Sequence, residues 1–113
     1  MTTLGDIVKR LDLTLLAGEA PPDAEVAGAY CGDMLSDVIA HAGKGDLWIT
    51  IQIHMNIIPV AAMKEVCAVI IANGKRPEPD VLAKARRERV RVLGSSLNSF
   101  QIACRLHEAG VTR

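Results

Sequence analysis

The chain has 113 residues, of which half are hydrophobic and only three are aromatic, and 13 basic residues balance 13 acidic ones. This apolar content excludes a disordered chain, and the length predicts a single domain over residues 1–113. The formal net charge of zero argues against a nucleic-acid-binding protein, because phosphate neutralisation requires a basic excess.

The first half of the chain predicts a helix, a strand, a loop, a second strand and a second helix, at residues 3–11, 13–16, 19–23, 26–30 and 33–42. Thr2 or Thr3 is expected to cap the first helix, and Asp33 the second. The pair Pro21-Pro22 indicates the loop, since proline donates no backbone hydrogen bond.

The second half alternates regularly between strands at 47–53, 67–72 and 92–94 and helices at 57–66, 79–90 and up to 110. We expect Asn56 to cap the middle helix, and Asn98 or Ser96 to cap the last. The helix over 57–66 is apolar almost all round, which predicts burial on more than one side, in the fold or in a dimer interface. Such alternation predicts an α/β fold, with a mostly parallel sheet of about four to five short strands and helices on both faces.

Cysteine spacing and the polar residues within the apolar stretch 47–72 indicate a cytoplasmic protein that does not enter a membrane. Cys31, Cys67 and Cys104 are widely separated and form no CxxC or Cys/His pattern, which favours buried, reduced thiols over a metal site. Charged residues inside a membrane span would need partners there. The first ten residues have the pattern of an amphipathic helix rather than of a signal peptide.

Several segments together resemble the DRTGG domain family. They are residues 26–37 (VAGAYCGDMLSD), 45–50 (GDLWIT), 69–74 (VIIANG), Pro79 and 92–95 (VLGS). The family occurs as the amino-terminal domain of HPr kinase/phosphorylase, in phosphate acetyltransferases, in CBS-containing pyrophosphatases and as stand-alone proteins. The resemblance implies a non-catalytic regulatory module that forms a homodimer or higher homo-oligomer and senses a small anionic ligand of phosphate or nucleotide type. A separate hypothesis is partnership with a larger enzyme supplied as a separate chain.

The chain departs from the motif that names the family. Residues 53–56 read IHMN, without the Asp-Arg pair, and residues 72–74 read ANG, which keeps one glycine of the Thr-Gly-Gly. A ligand site that depends on the Asp-Arg pair is therefore not expected here.

A candidate ligand site follows from topology, because ligands of open parallel sheets bind where the carboxyl ends of the strands meet helix N-termini, which favour anions. Polar residues collect at those ends in this sequence. An alternative interpretation is that they are only helix caps and turn formers. The candidate residues are Asp33, Gln52, His54, Asn56, Asn73, Gly74, Ser95 and Ser96.

An alternative function is a small enzyme or phosphate-ligand processor that uses His54 with Asn56, Asn73 and the loop 95–96. In it His54 is a base, a ligand contact or a pH-sensitive switch. No carboxylate is adjacent in sequence to His41 or His54, and Asp37 is expected on a solvated helix face, so no acid–base pair is predicted. Phosphate-cradling, GxSxG and HExxH motifs are absent from the sequence. We therefore predict no catalytic residue, no metal and no cofactor.

The segment 84–91 (KARRERVR) is locally basic. Its helical spacing predicts a solvated helix face, with phosphate contacts as the alternative.

Overall fold

The computed structural model describes residues 2–113, which form five α-helices and five β-strands. In chain order these are α1 (Leu4–Leu11), β1 (Thr14–Ala17), β2 (Gly28–Cys31), α2 (Leu35–His41), β3 (Asp46–Thr50), α3 (Ile57–Lys64), β4 (Ala68–Ile71), α4 (Pro79–Arg87), β5 (Val92–Gly94) and α5 (Ser99–Glu108).

The five strands form one sheet in the order β1-β5-β4-β3-β2. Strands β2 to β5 are parallel, whereas β1 lies antiparallel to β5 at one edge. In the parallel part, Tyr30 pairs with Trp48, Trp48 with Val69, and Val69 with Val92, so one row of residues crosses four strands. The predicted α/β fold with a mostly parallel sheet is confirmed, and the order of the early strands, which the sequence left open, is defined.

Side chains that alternate across the sheet divide the core into two layers. Helices α2, α3 and α4 cover the face that contains Trp48 and Val69. Helices α1 and α5 cover the opposite face, which contains Leu47 and Ile70. Because both faces are covered, a central strand has no solvated side, and all four residues of β4 are buried.

Strand β3 ends at Thr50, three residues earlier than predicted. The Asp33 carboxylate accepts a hydrogen bond from the backbone N–H of Ile51 at 3.0 Å, and the Gln52 N–H donates to the Thr50 hydroxyl at 3.1 Å. The N–H groups of residues 51 and 52 therefore bond to side chains instead of to a neighbouring strand, and β3 ends before them. The apolar residues at 51 and 53 gave the false signal of a longer strand.

Helices α3 and α4 also end earlier than predicted, at Lys64 and Arg87. Each is followed shortly by a residue in the left-handed region, Glu65 at φ 52° and Arg89 at φ 60°. The next N–H turns back to the last helical turn, from Val66 to the carbonyl of residue 61 at 3.2 Å and from residue 90 to that of residue 85 at 2.9 Å. These are Schellman endings, which normally contain glycine, so the sequence carried no signal for them.

Two of the four predicted helix caps are confirmed. Thr3 accepts a hydrogen bond from the N–H of residue 6, and Asn98 forms a reciprocal capping box with Gln101. The predicted caps Asp33 and Asn56 are wrong. Residue 34 precedes α2 without a side-chain cap, and Asn56 has a helical backbone with its side chain directed to residue 54.

One prediction about burial requires correction, and one is narrowed to a single alternative. Cys67 is buried as expected, but Cys31 and Cys104 are exposed, and all three are free thiols. Helix α3 buries Ile57 on its inner side but leaves Met63 59% exposed, so the fold alone does not enclose this helix. None of the helices within residues 2–113 combines the length and apolar character that crossing a membrane requires.

Candidate functional site

The carboxyl ends of β2 to β5 lie along one edge of the sheet, and the antiparallel β1 begins at the same edge. The predicted site residues therefore belong to one edge, as expected from topology. Within residues 2–113, however, their side chains divide into separate groups that no hydrogen bond joins.

The first group surrounds the end of β3. One carboxylate oxygen of Asp33 accepts from the Thr50 hydroxyl at 2.9 Å and from the N–H of residue 51 at 3.0 Å. The amide of Gln52 donates to the backbone carbonyl of Asp33 at 2.9 Å. Thr50 is fully buried. These bonds fix the loop between β2 and α2 against the end of β3, so Asp33 and Gln52 have a structural role.

His54 and Asn56 form a second, exposed group. The His54 Nδ1 lies 3.1 Å from the Asn56 side-chain oxygen. In the described part of the chain, His54 has no hydrogen bond to a carboxylate. The arrangement provides no partner that would activate His54 as a base.

The third group connects the ends of β4 and β5. Asn73 and Gly74 have φ angles of 63° and 67°, so the chain turns sharply after β4. Their N–H groups donate to the carbonyls of Leu97 at 2.9 Å and Ser95 at 2.7 Å. The buried Ser95 hydroxyl accepts from the Leu97 N–H at 3.1 Å. The two turns therefore hold each other in a fixed geometry.

A cleft of about 290 Å³ opens beside this third group, between the ends of β4 and β5 and the start of β1. Two basic residues that the sequence analysis did not select, Lys75 and Arg76, form part of its wall, and both are exposed. Their two positive charges face one carboxylate, that of Asp12, so the lining has a net positive charge suited to an anion. Predicted site residues that line the cleft are Gly74, Ser95 and Ser96.

The signal for the two basic residues was present in the sequence. Lys75 and Arg76 follow directly after the turn that ends a buried strand, at an edge where an anion was already expected. The remaining wall contains Thr14 of β1 and Asp12 at the end of α1, and the antiparallel position of β1 could not be predicted from the sequence.

A further polar cluster joins β2 to α2. The hydroxyl of Tyr30 donates to Asp37, and the His41 Nδ1 lies 3.1 Å from the other oxygen of Asp37. The Tyr30 hydrogen bond lowers the pKa of Asp37, and the same bond raises the pKa of Tyr30. The prediction that no histidine has a carboxylate partner is therefore wrong, because residues four apart on a helix are neighbours in space.

No group of three or more His, Cys, Asp or Glu side chains within residues 2–113 is arranged to hold a metal ion. The polar groups that line the cleft beside β4 and β5 are hydroxyls, the two cations and the Asp12 carboxylate.

Comparison with known proteins places this fold in a family. The family model for the DRTGG domain matches residues 6–109. Among solved structures, the CBS and DRTGG domains of the regulatory region of Clostridium perfringens pyrophosphatase, complexed with the activator diadenosine tetraphosphate, superpose with a TM-score of 0.78 at 16% sequence identity. The match covers 96% of this chain and 47% of that one, so the chain spans about half of the matched structure.

No curated protein matches the chain in sequence. The structural likeness at this low identity concerns the fold alone, whereas the family model covers nearly all of the sequence. The chain belongs to the DRTGG domain family.

Proposed function

We propose that this chain is a non-catalytic regulatory module that self-associates and binds a small ligand of phosphate or nucleotide type at the carboxyl edge of its sheet. The observation that carries the proposal is the cleft beside β4 and β5, where two cations face a fixed pair of turns. Ser95 and Ser96 add hydroxyl groups to the same wall. Cations and preorganised polar groups are the usual elements of an anion site.

The structural neighbour supports the class of ligand. It is the regulatory region of a pyrophosphatase, and it was crystallised with an activating dinucleotide that contains four phosphates. This chain shares the fold of about half of that region and belongs to the DRTGG family. A regulatory module of this kind acts on another catalytic unit, so the proposal includes a larger partner enzyme, and it includes a reducing cytoplasmic location because the three cysteines are free thiols.

The ligand proposal is tested by thermal unfolding with diadenosine tetraphosphate, ATP and inorganic phosphate. A ligand that binds only the folded state raises the melting temperature, by an amount that corresponds to about 2.7 kcal/mol at one hundred times Kd. We expect the increase to become smaller in the double variant Lys75→Gln/Arg76→Gln. The matched control Lys44→Gln/Lys64→Gln removes two charges away from the cleft and should respond as the wild type does. An equal loss in both double variants would reject the carboxyl-edge site.

Self-association is proposed to use the outer side of α2 and α3, which are neighbours on one face of the sheet. Two large apolar side chains are exposed there, Ile39 at 41% and Met63 at 59%. Because α3 is apolar on its outer side as well as on its inner side, a second copy is the partner that would bury it.

Sedimentation velocity tests this interface. Met63→Lys should lower the association constant at least about tenfold, because burying an unpaired ammonium in an apolar contact is unfavourable. Phe100→Lys on α5, at the opposite face, is the control, since Phe100 is also exposed. Dissociation by Phe100→Lys alone would assign the interface to the other face. A strict monomer at high wild-type concentration would reject self-association.

The alternative function, a small enzyme that uses His54, has less support. His54 is exposed and is hydrogen-bonded only to Asn56 among its side-chain neighbours. We expect His54→Ala to leave ligand binding unchanged. A phosphate-transfer or hydrolytic activity that this substitution removes would favour the enzyme instead.

A further inference from the structure

A second cleft, of about 610 Å³, lies at the amino edge of the sheet, opposite the carboxyl edge described above. Two segments form it, the turn that follows β1 and the connection from α4 to β5. The lining residues are Gly18, Glu19, Pro21, Arg86, Arg89 and Arg91. The locally basic segment 84–91 thus supplies three arginines to one concave surface.

The backbone fixes the two walls of this cleft against each other. Gly18 has a φ of +87°, and a Cβ added there would lie 3.2 Å from the carbonyl oxygen of Val90 and 3.3 Å from the Cα of Arg91. A residue with a side chain would push the walls apart. The buried Val90 and the left-handed Arg89 hold the connection in place at the end of α4. The arginine positions are therefore set by the fold.

The three guanidinium groups have no carboxylate partner within 4.0 Å in residues 2–113, where the Lys and Arg ion pairs are Lys44 with Glu65 and Lys84 with Glu88. Arg91 donates to the carbonyl of Cys67 at 2.9 Å. A guanidinium has about five N–H donors, so most of those on Arg91 remain available.

Charges near the end of a helix have an alternative role, since cations there stabilise the helix dipole. A comparison of the charges shows that helix stabilisation does not account for all three arginines. A helix C-terminus carries roughly half a negative charge, and Glu19 contributes one more. Against these, the three arginines contribute three positive charges. The cleft keeps an excess of roughly one and a half positive charges.

We propose that this cleft is a second binding site, independent of the carboxyl edge, for the diphosphate or triphosphate group of a small molecule. Arginine binds phosphate oxygens through two parallel N–H bonds, and three arginines suit several adjacent phosphates. The volume lies within the range of roughly 300–1,000 Å³ that is usual for small-molecule sites. The lining contains no aromatic side chain on which a base could stack. Recognition is therefore of the phosphates, and inorganic pyrophosphate should bind about as well as ADP.

Isothermal titration of the intact chain with pyrophosphate, at matched ionic strength, tests the proposal. The informative variant is Arg86→Gln/Arg89→Gly, because glycine accepts the left-handed backbone at residue 89 without strain. We expect its affinity to fall at least about tenfold, since it loses charge-assisted hydrogen bonds. The control Arg87→Gln removes a neighbouring charge that does not line the cleft and should change affinity less than about threefold.

Three outcomes would overturn the inference. In the first, neither pyrophosphate nor ADP binds the wild-type chain. In the second, Arg87→Gln weakens binding as much as the double variant does, which would indicate a diffuse charge effect. In the third, Lys75→Gln/Arg76→Gln removes pyrophosphate binding while Arg86→Gln/Arg89→Gly retains it. That last result would assign the ligand to the carboxyl edge and support the proposed function, so the failures of the two proposals are distinguishable.

Discussion

The carboxylate of Asp33 joins two segments that are distant in sequence at the end of β3. It accepts from the fully buried Thr50 hydroxyl and from a backbone N–H. Asp33→Ala leaves both donors without this acceptor, and we expect it to lower the free energy of unfolding by about 1–3 kcal/mol. Urea unfolding followed by the fluorescence of the single tryptophan, Trp48, measures this loss.

The variant Asp33→Asn is the matched control, because its side-chain oxygen can still accept both hydrogen bonds. It should lose less than half as much stability as the alanine variant. If Asp33→Ala and Asp33→Asn lost the same free energy of unfolding, the acceptor oxygen of Asp33 would not be the group that stabilises the fold. If Asp33→Asn also abolished ligand binding without loss of stability, Asp33 would have a role in the site.

The Tyr30–Asp37–His41 cluster predicts a measurable change in titration. The Tyr30 hydrogen bond is the largest cause that lowers the pKa of Asp37 below its ordinary value of 3.8. Tyr30→Phe removes that bond, so the pKa of Asp37 should rise. His41→Ala removes a weaker contribution and should raise the pKa less. Carboxyl carbon NMR titration of Asp37 provides the measurement.

The sign of the stability effect follows from linkage. A carboxyl with a lowered pKa in the folded state contributes stability above its unfolded value near 3.8, and this contribution is lost as the pH falls through the lower folded pKa. Wild type should therefore lose stability in this acidic window, and Tyr30→Phe should lose less of it. A pKa of Asp37 that is unchanged in Tyr30→Phe would contradict the assigned cause.

At the scale of elements, the end of α3 predicts that glycine substitutions at two adjacent residues change the stability of the fold in opposite directions. Glu65 ends α3 with a φ of 52°, a conformation that costs a residue with a Cβ about 1–2 kcal/mol. Glu65→Gly relieves this cost, although it also increases the freedom of the unfolded chain, so we expect a net stabilisation of up to about 1 kcal/mol. Lys64→Gly, one residue earlier in the helix, should destabilise by about 1 kcal/mol.

Thermal unfolding of both variants tests this pair. The weak, exposed contact of Glu65 with Lys44, at 3.8 Å, contributes little and does not offset the expected gain. If both glycine variants were destabilised equally, the left-handed residue would not be strained in the folded chain.

Periodicity predicted the elements themselves more accurately than their ends. Helix α1 and strand β5 lie within a residue or so of their predicted ranges, because their apolar spacing is decided locally. The end of β3 depends on Asp33, which lies 18 residues before the N–H that it binds at Ile51. The end of α3 depends on a non-glycine residue in a glycine conformation. Neither effect has a local sequence signal.

In the candidate site, too, some features could be predicted from the sequence and others depend on contacts that are distant in sequence. Gly74, Ser95 and Ser96 line one cleft, since turn residues after neighbouring parallel strands must share an edge. Asp33 was predicted as a cap and candidate ligand residue, but its carboxylate is used within the fold. The type and position of a polar residue could not show whether it lines a cleft or bonds within the fold. That outcome depends on which backbone N–H groups lack a partner in the folded chain.

At the scale of the whole molecule, one sheet supports two hydrophobic layers. Trp48 lies in the layer under α2, α3 and α4, and its indole N–H donates to the carbonyl of Gly32 at 2.9 Å. Cys67, at 6% exposure, belongs to the layer under α1 and α5. Each layer needs the sheet for its other wall, so neither can remain packed once the strands separate. The two residues are therefore internal reporters for opposite faces.

We predict that both reporters unfold in one transition. In the variant Cys31→Ser/Cys104→Ser, which removes the two exposed thiols, Cys67 becomes the single site for a thiol reagent. Brief labelling pulses along a urea series should give the same midpoint as Trp48 fluorescence, because a cooperative domain exposes both layers together. Labelling requires the thiolate, and burial raises the pKa of the Cys67 thiol in the folded chain, so the reagent should react more slowly with the folded chain than with the unfolded one.

Different midpoints for the two reporters would mean that the two faces of the sheet unfold separately. Labelling of Cys67 at urea concentrations where the fluorescence of Trp48 is still native would mean that α1 and α5 detach before the parallel sheet opens. The face under α2, α3 and α4 would then be the more stable one. Because the proposed self-association surface lies on those helices, dimer formation should stabilise that face further and widen the gap between the two midpoints as protein concentration rises. Coincident midpoints that increase together with concentration would instead show that association stabilises the domain as one cooperative unit.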